Sequence, residues 1–122
     1  MLGKFGSLID LFMLNEKILR KKADFDRIYK KGKSAGDRYV VVFVRPNGRE
    51  IVRTAFLASK KVGNSVERNR ARRLMKESYR LSLAKRLKGI DIVFIARNTI
   101  KDKKQKEVER SMNAALTKVG IL

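Results

Sequence analysis

The chain has 122 residues, with 31 Lys+Arg against 12 Asp+Glu and a formal net charge of +19. That length suits one domain with a modest core rather than two, and a hydrophobic content of 43% excludes disorder throughout. So large an excess of one sign opposes compaction unless a polyanion offsets it, so nucleic acid is the expected partner. The charge lies on mixed, structured segments rather than beside a long apolar span, which argues against a membrane partner. Cysteine and histidine are both absent. That removes disulfides, thiol nucleophiles, the usual general acid/base at neutral pH and the commonest metal ligand. The carboxylates are scattered, with Asp24 and Asp26 early, Asp91 before an apolar run, and Glu107 and Glu109 late. The chain reads as a binder, with no catalytic residue and no metal ligand assigned to it.

Residues 1–14 form an apolar run interrupted by Asp10. It is too short to span a bilayer and is followed by no small-residue cleavage pattern, so neither a span nor a secretory signal is expected. Residues 1–16 are read as an N-terminal extension, possible disorder included, and 17–122 as a single RNA-binding domain. Met13 opens an ordinary basic start, and residues 1–12 are expected to stem from an upstream start codon and to be dispensable. Intact-mass measurement on native protein decides that point; Met1 as the sole N-terminus refutes it.

Ala23–Lys31 reads as a short helix: Phe25, Ile28 and Tyr29 recur at helical spacing and Gly32 is a plausible stop. On spacing alone Phe25 and Tyr29 are core residues. Lys33–Arg38 reads as a turn or short irregular strand. Tyr39–Arg45 is β-branched and aromatic, hence a strand. Pro46-Asn47-Gly48 signals a turn, and Glu50–Ser59 is expected to return as the second arm of an antiparallel hairpin.

Ser59–Arg80 carries the most informative pattern. Two lysines and a glycine turn precede Asn64, an N-cap candidate, and Glu67 lies three residues on, as a capping box requires. At about 100° per residue, Arg68, Arg72, Lys76, Asn69, Arg80 and Arg73 fall in a fan of roughly 140°, with Tyr79 among them. Leu81, Leu74, Ser78, Ala71 and Met75 occupy a separate sector of roughly 120°, and Arg70 and Glu77 lie on the border. Cations stacked at i and i+4 repel, and a helix needing only solubility would alternate signs. A one-sided, mostly arginine face suits bidentate contact with phosphate. Leu81–Leu87 is expected to prolong the helix to Gly89. Ile90–Ala96 is a nearly unbroken apolar run, as in a strand buried on both faces, and Lys103–Val119 is a last helix. Its stripe is Val108, Met112, Ala115, Leu116 and Val119. The order α-β-β-β-α-β-α predicts an α+β, two-layer sandwich of helices on a small mixed sheet of about four strands.

These residues resemble the family of bacterial ribonuclease P protein subunits. The resemblance rests on Arg68-Asn69-Arg70, Arg72-Arg73 and Lys76-Glu77, preceded by Ser59-Lys60-Lys61-Val62-Gly63-Asn64. The early helix with Phe25 and Tyr29, the Lys31-Gly32-Lys33 exit, the Tyr39–Phe43 strand and Asp91-Ile92-Val93 running to Ala96-Arg97 match as well. It spans about Lys17 to Leu116. The family usually has lysine where Arg72 stands, arginine at Lys76 and alanine at Ser65; the first two exchange a guanidinium fork for a point charge or the reverse.

The resemblance implies a fold like domain 2 of ribosomal protein S5, with a left-handed β-α-β crossover. It also implies a cytoplasmic ribonucleoprotein endonuclease whose catalytic RNA removes the 5′ leader of precursor tRNA. Mg2+ would be held mainly by RNA; the catalytic RNA and precursor tRNA would be the partners, with no membrane and no small-molecule substrate. Lys60, Lys61, Asn64, Arg68, Asn69, Arg70, Arg72, Arg73 and Lys76 would face RNA phosphates. Phe25, Tyr29 and Phe43, with Lys31 nearby, would line a cleft for the leader. Base stacking worth about 1–3 kcal/mol per base tolerates any sequence, which suits a variable leader. A ribosomal or ribosome-assembly protein is the main alternative, since charge, size and layout suit it equally. A DNA-compacting protein would prefer duplex DNA and have no use for the cleft aromatics. A self-sufficient nuclease is least compatible with the missing histidine.

Overall fold

The structure, a computed structural model, describes residues 17–122. The expectations for residues 1–16, Met13 included, lie outside the described residues. Helix α1 (Lys22–Lys31) leads into strands β1 (Lys33–Gly36), β2 (Val40–Pro46) and β3 (Arg53–Leu57). Helix α2 (Ser65–Ser78) is continued by one π-helical turn (Tyr79–Leu83), then come β4 (Ile90–Ala96), a 3-10 turn (Asn98–Ile100) and helix α3 (Gln105–Lys118). The predicted α-β-β-β-α-β-α order and α+β class hold. Lys33–Gly36 is a regular strand, paired with β2 from Lys33↔Val44 to Gly36↔Val41.

The sheet order is β1-β2-β4-β3, with β1 and β2 antiparallel, β2 and β4 antiparallel, and β3 and β4 parallel. The expected hairpin between Tyr39–Arg45 and Glu50–Ser59 is therefore overturned: β4 lies between them, with Ile92 opposite Val44 on one side and Thr54 on the other. Two local facts explain this. Asn47 does not close a tight turn; its backbone N–H donates to the Gly89 carbonyl, and its amide donates to the Ile51 carbonyl and to Asp91. The loop thus opens toward the start of β4. That strand is also the most apolar of the described strands and is buried along almost its whole length, so the central position is the one that satisfies it. Parallel pairing of β3 with β4 needs a long crossover, which α2 supplies.

Alternation along the strands divides the core. Val40, Val42, Val44, Ile92 and Phe94 join Ala71, Met75 and the buried stripe of α3 in the larger cluster. Val108, Met112, Ala115, Leu116 and Val119 all lie in it, as the periodicity predicts. The opposite sheet face packs a smaller cluster, Ala55 and Val93 with Leu19 and Ile28, against α1. One helix covers that face where two cover the other.

The π turn corrects the end of the basic helix. Ala84 donates to the Tyr79 carbonyl, so one extra residue enters the turn and later side chains rotate by about 100°. Leu81, expected inward, is 58% exposed, and Leu83 is fully buried instead. Burial of a leucine contributes roughly 1.5–3 kcal/mol, enough to select that register. Tyr79 leaves the cationic fan and packs on Phe56 and Phe94, with ring centroids 5.9 Å from each.

Candidate nucleic-acid interface

The predicted capping box forms. Asn64 Oδ1 accepts from the Glu67 N–H at 2.9 Å, and Glu67 Oε1 accepts from the Asn64 N–H at 3.0 Å. Gly63 makes this possible: its φ is +146°, and a Cβ there would sit 2.4 Å from Glu67 Oε1. The Lys101 ammonium, 2.9 Å from Glu67 Oε2, and the Asn64 N–H hold the Glu67 carboxyl below its ordinary 4.5. The first turn of α2 is thereby tied to the 3-10 linker. Asn64, expected to meet RNA, has a structural duty as the cap.

From this fixed start, α2 presents its cations. Val62 is buried and anchors the preceding turn, which leaves Lys60 and Lys61 exposed beside it. Arg68 Nη1 donates to the Gly63 carbonyl at 3.0 Å, so this side chain braces the loop as well as carrying charge. Arg72 donates to Asn69 Oδ1, and Arg70 Nη2 donates to the Lys103 carbonyl at 2.9 Å. Arg80 pairs with Glu77 at 2.6 Å and is partly neutralised. Arg73 and Lys76 are exposed and make no hydrogen bond or ion pair among the described residues. They lie with Asn69 and Arg72 along a groove of about 480 Å³ in which Val66 is 70% exposed. Of the predicted set, Asn69, Arg72, Arg73 and Lys76 share this groove, Arg68 and Arg70 are oriented by backbone carbonyls, and Lys60, Lys61, Arg73 and Lys76 are exposed with no side-chain partner among the described residues.

A second surface lies on the opposite face of the sheet. Phe25 and Tyr29 project from α1 with centroids 6.1 Å apart, and Tyr29 meets Phe43 of β2 edge to face at 5.0 Å. Tyr29 is 41% exposed, whereas Phe25 and Phe43 are half-buried against the smaller cluster. Lys31 is exposed in the last turn of α1, where the helix dipole favours a cation. Gly32 lets α1 approach β2, since a Cβ there would lie 2.4 Å from the Ile28 carbonyl oxygen and 2.6 Å from that of Val44.

A network that the sequence reading did not single out holds α1 on the sheet. Arg53 Nε and Nη2 donate to Asp91 Oδ1 and Oδ2 at 2.8 and 2.6 Å, while Nη1 reaches Asp24 Oδ2 at 3.3 Å. Asn47 adds a bond to Asp91, and Arg27 one to Asp24. Burial opposes ionisation of Asp24, but the Arg27 hydrogen bond and the charges of Arg53 and Arg27 prevail and hold its carboxyl below the ordinary 3.8. The legible signal was a charged residue in each of two short apolar strands, Arg53 in RTAFL and Asp91 in IDIVFIA. No three carboxylates converge among the described residues, and the two buried aspartates are taken by Arg53. This donor set does not fit magnesium, so no step assigned to the chain runs through that ion.

The family model described as Ribonuclease P matches residues 13–120. The chain is 46% identical over 109 residues to the "Ribonuclease P protein component" of Clostridium botulinum (strain Loch Maree / Type A3), covering 88% of this chain and 98% of that one. The protein of the same name from Alkaliphilus oremlandii is 43% identical over 104 residues, 85% of this chain and 91% of its own. Among solved structures, a mutant Staphylococcus aureus RNase P protein superposes with a TM-score of 0.85 at 31% identity, over 94% of this chain and 98% of that one. The Thermotoga maritima RNase P protein gives 0.71 at 31% identity, over 79% and 91%. Sequence signature, fold and relatives agree, and the chain belongs to the ribonuclease P protein-component family.

Proposed function

We propose that this chain is the protein subunit of a cytoplasmic ribonuclease P holoenzyme. It binds the catalytic RNA through α2 and the turn before it, and takes the 5′ leader of precursor tRNA into the cleft between α1 and the sheet. The observation that carries this reading is the pairing of two unlike surfaces on one small sheet. One is an arginine-rich helix face with Arg73 and Lys76 unpartnered; the other is an aromatic cleft from which Tyr29 is accessible. The first suits crowded phosphates, the second unpaired bases. Arg68, Arg70 and Arg72, with Lys60 and Lys61, supply countercharge where RNA helices meet. Magnesium, held by the RNA, supplies the hydrolytic chemistry, while this chain binds, orients and neutralises.

Reconstitution tests the reading. Added to a bacterial ribonuclease P RNA at physiological magnesium, the protein should promote leader removal, and it should bind that RNA in preference to ribosomal RNA. With six or seven cations on phosphate, log affinity should fall against log salt with a slope of roughly −5 to −6. A slope near about −1, or equal binding to ribosomal RNA, removes the α2 face from the specific interface.

A further inference from the structure

At the end of the sheet where β2 stops and β3 and β4 begin, a hollow of about 430 Å³ opens beside α1. Arg27, Arg45 and Arg49 border it, and its floor is the Arg53 network with Asp24 and Asp91. We propose that this hollow is a second phosphodiester-binding site, on the opposite face of the sheet from α2. The proposal rests on the RNA-binding reading above and adds a contact surface to it.

Three observations carry it. The carboxylates that would repel a phosphate are already engaged: Asp91 accepts from Arg53 and Asn47, and Asp24 from Arg27 and Arg53. Arg45 and Arg49 make no side-chain hydrogen bond or ion pair among the described residues, so four guanidinium groups against two carboxylates leave the hollow cationic. No aromatic or aliphatic side chain except Pro46 lines it, so it offers a base little apolar surface and a backbone phosphate several N–H donors. The positions follow from the strand. Arg45 lies two residues beyond Phe43 and so on the same sheet face, opposite Asp91 in the β2–β4 ladder. Asn47 Oδ1 accepts from the Arg49 N–H at 2.8 Å and fixes the loop that carries the third arginine. On the α1 face of the sheet, RNA would thus be held at this hollow as well as in the aromatic cleft.

The phosphodiester could belong to the catalytic RNA or to the leader, and the test separates them. The full chain is prepared as Arg45→Gln/Arg49→Gln, and the salt dependence of binding is measured for the catalytic RNA, and for precursor tRNA with the reconstituted holoenzyme. Loss of two phosphate contacts should make the slope shallower by about 1.4–1.8, so that between about 50 and 200 mM salt wild type loses about 7- to 12-fold more affinity than the variant. A change in the first arm assigns the site to the catalytic RNA; a change confined to the second assigns it to the leader. Unchanged slopes in both arms overturn the proposal. Arg49→Gln alone, at an exposed loop position, should give about half the change and keeps the test valid if the double variant unfolds. Arg73→Gln on α2 is the control. If it weakens catalytic-RNA binding while the double variant does not, only this inference fails; if both are silent, the functional reading fails with it.

Discussion

Replacing Arg53 with methionine removes the guanidinium that joins α1 to the sheet. The Arg53 side chain is 14% exposed, and those of Asp24 and Asp91 are 8% and 7% exposed. The variant therefore takes from Asp91 its guanidinium partner and from Asp24 one of its two. Breaking a buried pair in this way costs about 3–5 kcal/mol. Asp24 retains Arg27 and Asp91 retains Asn47, which places the loss near the lower end, about 3 kcal/mol. A domain of this size shifts by roughly 4–6 °C per kcal/mol, so the thermal midpoint should fall by about 12–18 °C. The pH dependence gives an independent check. The folded-state value of Asp24 is held below 3.8, so its contribution is present above that pH and is lost as pH falls through the folded value. In Arg53→Met part of the charge holding it down is gone while Arg27 and burial remain, so protonation relieves the variant. The gap in stability between wild type and variant should accordingly narrow below about pH 4. Thermal denaturation followed by circular dichroism across pH 3–7 measures both effects. A midpoint shift under about 5 °C at pH 7, or a gap that widens in acid, refutes the view that this network seats α1.

Gly32→Ala should destabilise by about 1–3 kcal/mol in thermal melts and weaken precursor binding. The new Cβ meets backbone oxygens of both α1 and β2, so the helix must move off the sheet. Tyr29→Ala should lower affinity for precursor, but not for mature tRNA, by about 1–3 kcal/mol, with a stability change near 1 kcal/mol or less. Equal loss for both RNAs in a filter-binding comparison would remove Tyr29 from the leader cleft. Leu81→Lys should change stability by under about 0.5 kcal/mol, whereas Leu83→Ala should cost about 2–5 kcal/mol in chemical denaturation. The reverse order would mean that the π turn does not set the register.

Interactions that are local along the chain were legible in the sequence; those decided by distant partners were not. The Asn64–Glu67 box, the Ala71–Met75 anchor of α2 and the Val108–Leu116 stripe of α3 depend on spacings of three and four residues, which the chain displays directly. The hairpin was misread because Pro46-Asn47-Gly48 carries a turn signal whatever strand follows. What decides the topology is the competition of β2 and β3 for the edges of β4, separated from them by more than thirty residues. The inward swap of Leu83 for Leu81 likewise accompanies contacts with distant strands, where the ring of Tyr79 packs beside Phe56 and Phe94.

The aromatics show why spacing could not distinguish core from cleft. Phe25, Ile28 and Tyr29 share one helical face, and periodicity treats them alike. The structure separates them by how far each lies from the edge of α1: Ile28 is 1% exposed, Phe25 is half-buried and Tyr29 is 41% exposed. A single helix of ten residues cannot cover a four-stranded sheet, so its flank must leave rings partly uncovered. Whether such a ring is a defect or a binding surface then depends on what holds the helix in place. Here a buried arginine with two carboxylates and a glycine pressed against β2 fix α1 where the rings stay accessible. A helix seated only by apolar contacts would gain by sliding to cover Tyr29, and the Arg53 network opposes that slide.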